Sequence, residues 1–101
     1  MSEYRIFETT GFQRDLVGLG PEAAKRIQNA LANRVYPVLR AAPRELPSAA
    51  RLQDWDPPTW RIRIGTWRLF FEIDDEKRVV FLTAADHRKD AYRYSREWPL
   101  P

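Results

Sequence analysis

The chain is predicted to be an α+β domain. Two N-terminal helices cover one face of a mainly antiparallel four-stranded sheet, in the order β-α-α-β-β-β with a short C-terminal helical element. Three observations carry this reading. Apolar residues recur at spacings of three and four between Phe12 and Leu39, the period of a helix face. After Trp60 they alternate with polar residues, the period of a half-buried strand. Between the two halves, Ala41 to Pro58 holds four prolines and few apolar residues, so helices and strands are segregated along the chain rather than interleaved.

Tyr4–Glu8 is a short β-type run. It ends at Thr9-Thr10, either of which can cap a helix through its hydroxyl. Phe12, Leu16 and Leu19 then fall at i, i+4 and i+7 and describe a short amphipathic helix that Gly18 and Gly20 stop. Pro21 suits the first turn of a second helix, where its missing N–H is no loss. Ala24, Ile27, Leu31, Val35 and Leu39 form the apolar stripe of that helix. Pro37 is expected to kink or end it near Tyr36, because it removes a backbone hydrogen bond and crowds the preceding turn.

The proline-rich stretch reads as a surface linker anchored by Leu46 and Leu52. Three strands follow, at about 59–64, 67–74 and 78–85. Gly65-Thr66 makes a two-residue hairpin loop with glycine first, the pattern of a type II′ turn. A longer acidic loop spans Asp74–Lys77, and Asp90 to Trp98 is read as a terminal turn or helix closed by prolines.

The 101 residues are expected to form a single domain, 1–101, with 44% hydrophobic residues to supply its core. The absence of cysteine excludes disulfides, thiolate zinc sites and a thiol nucleophile. With one histidine, no metal site is expected and no cofactor is implied. The opening Met1-Ser2-Glu3-Tyr4 has no charged-then-apolar leader, and no apolar run reaches the ~20 residues of a membrane span. A cytoplasmic protein without membrane contact is expected.

Charge is sharply patterned. Of the 17 basic residues 14 are Arg, whose planar fork matches phosphate better than an ammonium does. From Trp60 to Phe71 there are three Arg and no acid; alternation sends Ile62 and Ile64 to one face of the sheet and Arg61 and Arg63 to the other. A second basic cluster, His87, Arg88, Lys89 and Arg93, accompanies Tyr92 after the last strand. A row of guanidinium groups on an open sheet face suits a polyanion, with RNA the leading candidate.

The two-helix half, the hairpin Trp60 to Ile73 and the ending His-Arg-Lys-Asp-Ala-Tyr-Arg (87–93) together resemble the RelE/ParE superfamily of bacterial type II toxins, on its RelE-like side. The resemblance spans nearly the whole chain and is most specific from Arg61 to Arg93. It implies a ribosome-dependent mRNA endonuclease, an mRNA interferase that inhibits translation by acting in the ribosomal A site. It also implies a cognate antitoxin as partner, and contact with operator DNA only through the antitoxin complex. The alternative within the superfamily is a ParE-like toxin that poisons DNA gyrase without cutting anything itself.

Carried over by position, Arg61 and Arg63 match two basic residues that face the mRNA, with Lys89 and Arg93 as further RNA-binding candidates. Arg68 matches the arginine of an aromatic-Arg-Leu signature, and Tyr92 a tyrosine that stacks on or orients the substrate base. His87 and Arg88 both lie where relatives place another catalytic Arg or His. Arg68, His87, Arg88 and Tyr92 are thus the implied catalytic set. Metal-independent cleavage by 2′-OH attack needs a base, stabilisation of phosphorane charge and an acid. Family members commonly carry lysine where this chain has Arg61 and Arg63, and arginine cannot serve as the base. Imidazole titrates near neutrality, which favours His87 for proton transfer, with Glu45, Asp86 and Asp90 as substitutes.

Overall fold

The computed structural model describes residues 3–87. Arg88, Lys89, Tyr92, Arg93 and the expected element from Asp90 to Trp98 lie outside the described residues. The elements run β1 (Arg5–Glu8), α1 (Thr10–Leu19), α2 (Pro21–Ala30), a π-turn (Leu31–Val35), α3 (Tyr36–Ala41), a 3₁₀ turn (Pro43–Glu45), β2 (Ala49–Arg51), β3 (Trp60–Ile64), β4 (Trp67–Asp74) and β5 (Val79–His87). The sheet order is β1-β5-β4-β3-β2, parallel between β1 and β5 and antiparallel elsewhere. None of the described helices is long and apolar enough to cross a membrane.

Helix starts follow their local chemistry. Thr9 caps α1, its hydroxyl oxygen accepting the Phe12 N–H at 3.1 Å. Gly20 closes α1 and opens α2 at φ 100°, a conformation that side-chain-bearing residues rarely adopt, and Pro21 takes the first turn of α2. The α1–α2–α3 layer and the inner face of the sheet enclose one core. Phe12, Ile27, Leu31, Leu39, Ile62, Leu69, Phe71, Val80 and Leu82 are all fully buried there. Each such side chain contributes roughly 1.5–3 kcal/mol relative to exposure.

One expectation is refined and another corrected. The helix is interrupted just before Tyr36, close to where Pro37 was expected to kink or end it, but the helical segment does not end there. The chain instead widens into the π-turn, where the Tyr36 N–H reaches back to the Leu31 carbonyl, and α3 starts with Pro37 in its first turn. The missing proline N–H is thereby absorbed at a helix start rather than in an interior. The proline-rich stretch is also more than a linker. Its Ala49–Arg51 pairs antiparallel with Trp60–Ile62, so the sheet has five strands rather than four. Leu46 is buried as an anchor and Leu52 is partly buried.

The β3–β4 hairpin is as anticipated, with Ile64 paired to Trp67 across Gly65-Thr66 and positive φ at Gly65 alone. The decisive irregularity is in β5. Phe70 pairs with Ala84 but Phe71 pairs with Leu82, so Thr83 is an extra residue, a β-bulge. β5 also runs two residues beyond its expected end. Where β1 stops, α1 takes over this sheet edge: the Thr9 N–H and hydroxyl both donate to the Leu82 carbonyl, and Asp15 Oδ2 accepts the Ala85 N–H at 3.0 Å. The edge is covered rather than left open to another chain.

Candidate nucleic-acid interface

The helices pack on one face of the sheet, and the opposite face carries the charged side chains. Cross-strand register groups them into rows, because directly paired residues point to the same side. One row is Ala50–Arg61–Phe70–Ala84, and the next is Arg63–Arg68–Asp86. Arg61, Arg63 and Arg68 are therefore brought together on the open face, as the sequence alternation requires. Arg63 is exposed, while Arg61 and Arg68 are half-buried.

Burial makes Arg61 chemically distinct. Its Nε is enclosed without a hydrogen-bond acceptor among the described residues. A buried donor left unmade is costly, and an anionic oxygen would satisfy it with a charge-assisted bond. Arg68 donates from Nη1 to the Trp67 carbonyl at 3.3 Å, a long bond that holds the side chain back along its own strand.

His87 lies elsewhere. It pairs with Trp67, which pairs with Ile64, and this row belongs to the helix-covered face. Strict alternation from Leu82 would put His87 on the arginine side. The extra Thr83 inverts the parity of everything after it and puts Asp86 there instead. The Asp86 carboxylate also accepts the His87 backbone N–H at 2.8 Å. Of the substitute bases, Glu45 is exposed on the 3₁₀ turn beside Arg44, which binds Asp75 in the β4–β5 turn, at the far end of β4 from Arg68. Asp90, like Arg88, Lys89, Tyr92 and Arg93, is outside the described residues. Among the described residues no cluster of His, Asp and Glu is arranged to hold a metal ion.

Sequence reasoning did not single out a cavity of about 310 Å³ adjoining the arginine rows. Trp55, from the loop before β3, lies parallel to Phe70 with ring centroids 5.9 Å apart. Glu72, half-buried on β4, lines the same cavity, and burial pushes its carboxyl above the ordinary carboxylate range. No short-range pattern marks this group, which comes from α1, a loop and two strands.

The pattern of the family described as "ParE toxin of type II toxin-antitoxin system, parDE" matches residues 8–92. Toxin RelG of Mycobacterium tuberculosis is 34% identical over 90 residues, covering 89% of this chain and 97% of the relative. The toxin–antitoxin complex RelBE2 of the same organism has a chain that superposes with a TM-score of 0.66 at 30% identity, covering 89% of this chain and 97% of its own. The free Escherichia coli toxin RelE shares the fold, with a TM-score of 0.65 at 22% identity over 94% of this chain and 93% of its own.

Proposed function

The chain belongs to the RelE/ParE superfamily of type II toxins, on its RelE-like side, and from that premise we propose that it cuts mRNA on the ribosome. The observation that carries this reading is the gathering of Arg61, Arg63 and Arg68 on the sheet face that the helices leave open. Three guanidinium groups on neighbouring strands offer forked donors to the oxygens of a phosphate backbone. The substrate is single-stranded mRNA in the ribosomal A site, and the reaction needs no metal.

The 2′-hydroxyl gives up its proton to the base and attacks the adjacent phosphorus. The P–O5′ bond breaks, the departing 5′-oxygen takes a proton from water, and the products are a 2′,3′-cyclic phosphate and a 5′-hydroxyl. Arg61 and Arg63 hold phosphates and Arg68 stabilises the charge that develops at the scissile one. Asp86 is the titratable group that the register puts beside Arg68, and it takes the role of base that the sequence favoured for His87. Arg88 and Tyr92 are proposed to complete the catalytic set, with Lys89 and Arg93 on the RNA. A basic nuclease of this kind needs restraint, so the partner is an antitoxin that covers the arginine face and links the toxin to operator DNA.

The test is direct. Purified full-length chain is incubated with translating ribosomes and the mRNA ends are mapped. New cuts in A-site codons support the reading. Intact mRNA together with inhibited DNA supercoiling would replace it with gyrase poisoning.

A further inference from the structure

The cavity beside Trp55 begins where the arginine rows end. Phe70 and Ala84 line it, and both stand in one row with Arg61. Ala84 offers only a methyl group opposite Phe70 there, next to the extra residue Thr83, which also lines the cavity. The mouth carries Arg14 of α1 and the exposed Asp56 of the Trp55 loop. The walls pair flat aromatic surface with the carboxyl groups of Asp15 and Glu72, of which Asp15 already accepts the Ala85 N–H.

Those features select among ligands. A carboxylate has only acceptors, and its two oxygens match two adjacent N–H donors on one edge of a planar ring. Glu72 has no hydrogen-bond partner among the described residues and is partly withdrawn from water, so such a pair of bonds is less screened there than on the open surface. Guanine presents N1–H and N2–H side by side. Uracil presents one N–H between two carbonyl oxygens, which a carboxylate repels. Stacking on an aromatic side chain favours either base by roughly 1–3 kcal/mol and does not discriminate.

We infer that this cavity is a base-reading pocket that takes a guanine of the bound RNA, with Glu72 reading its Watson–Crick edge, the Trp55–Phe70 pair supplying the aromatic wall and Arg61 holding the neighbouring phosphate. The inference rests on the mRNA reading and adds a specificity residue to it. Glu72 acts on the choice of base and not on the bond broken.

The experiment titrates isotope-labelled full-length protein with guanosine 5′-monophosphate and, separately, uridine 5′-monophosphate, following the Trp55 indole N–H and the Glu72 and Thr83 amides by NMR. The expected result is at least fivefold tighter binding of the guanine nucleotide, with shifts centred on these residues. Glu72→Gln should abolish the preference, and Trp55→Leu should weaken both nucleotides. Equal affinity for the two nucleotides, or a preference that survives in Glu72→Gln, overturns the inference. So does displacement of neither nucleotide but selective filling of the pocket by an arginine- or lysine-containing peptide, which would make it an anchor for a protein partner. Because the titration uses no ribosome, it separates the two ideas. Guanine selectivity without ribosomal cleavage sinks the nuclease and keeps the pocket. Cleavage whose site preference is unchanged in Glu72→Gln keeps the nuclease and sinks the pocket.

Discussion

Arg68 and Asp86 face each other across β4 and β5 only because Thr83 is extra. Without the bulge, Ala85 would stand opposite Arg68 and Asp86 would turn to the core face. One residue thus exchanges the acid for the imidazole on the open side of the sheet, and it sets the sharpest division between candidate bases. Asp86→Asn should lower mRNA cleavage by ~100-fold or more, the usual scale of a general base. His87→Ala should cut within a few-fold of the parent across pH 5 to 8. Single-turnover cleavage of ribosome-bound mRNA over that range measures both; a full-rate Asp86→Asn protein removes Asp86 from the mechanism.

Arg68→Ala should cost ~100- to 1000-fold in the same assay, since a donor to developing charge acts only in the transition state. Its side chain is half-buried at the sheet surface and outside the core, so the melting temperature should move by no more than a few degrees. Circular dichroism alongside kinetics checks both halves of the prediction.

Arg63 and Arg68 are like charges in direct cross-strand register. Such pairs oppose folding, so Arg63→Thr should stabilise the domain by ~0.2–1 kcal/mol while weakening RNA association. The weakening should shrink as salt rises, because the lost contact is to a phosphate. Urea unfolding and salt-dependent binding should move in opposite directions.

At the far end of the sheet, Asp75 accepts two hydrogen bonds from Arg44, at 2.8 and 3.1 Å, and one from the Tyr4 hydroxyl at 2.6 Å. The Arg44 bonds first, then the Tyr4 bond, bring its carboxyl from the ordinary 3.8 down to about 2. A depressed carboxyl stabilises the fold above its ordinary value, and that contribution is lost as pH falls from there through about 2. Following the Asp75 side-chain carbon by NMR should give a midpoint near 2 in the parent and a value well above it in Arg44→Ala.

Phe71 is fully buried and stacks on Trp60 at 5.8 Å between ring centroids. Phe71→Ala should cost ~3–5 kcal/mol and leave the purified domain marginal or unfolded, read as a fall in the urea midpoint at constant slope.

Much of this architecture was legible because its signals are local. The Gly65-Thr66 turn and the alternation on either side of it specify the β3–β4 hairpin and put all three arginines on one face. The Thr9 cap and Gly20 stop are equally short-range. β2 was not legible, since Ala49-Ala50-Arg51 has little strand propensity and becomes a strand only by pairing with β3. That β5 runs on through His87, and which side of the sheet His87 takes, was not legible for a similar reason. Periodicity assumes a regular strand, and nothing in Leu82-Thr83-Ala84 announces a bulge that is fixed by α1 holding the edge from outside. The Trp55 cavity is assembled from four separate elements and has no sequence signature at all.

The π-turn at Leu31–Val35 holds Leu31, Val35 and Leu39 against the core although they are spaced four apart. On an α-helix each such step overshoots by about 40°, so Leu39 would drift about 80° out of phase with Leu31. The wider turn absorbs that drift, with the exposed Ala32, Asn33 and Arg34 on its outer side. With one of those three removed, Leu31 and Leu39 would be seven apart, within about 20° of alignment on an unbroken α-helix. The segment therefore stores one residue of slack. It is a place where the length of the chain can change by one while the side chains that meet the sheet keep their bearings.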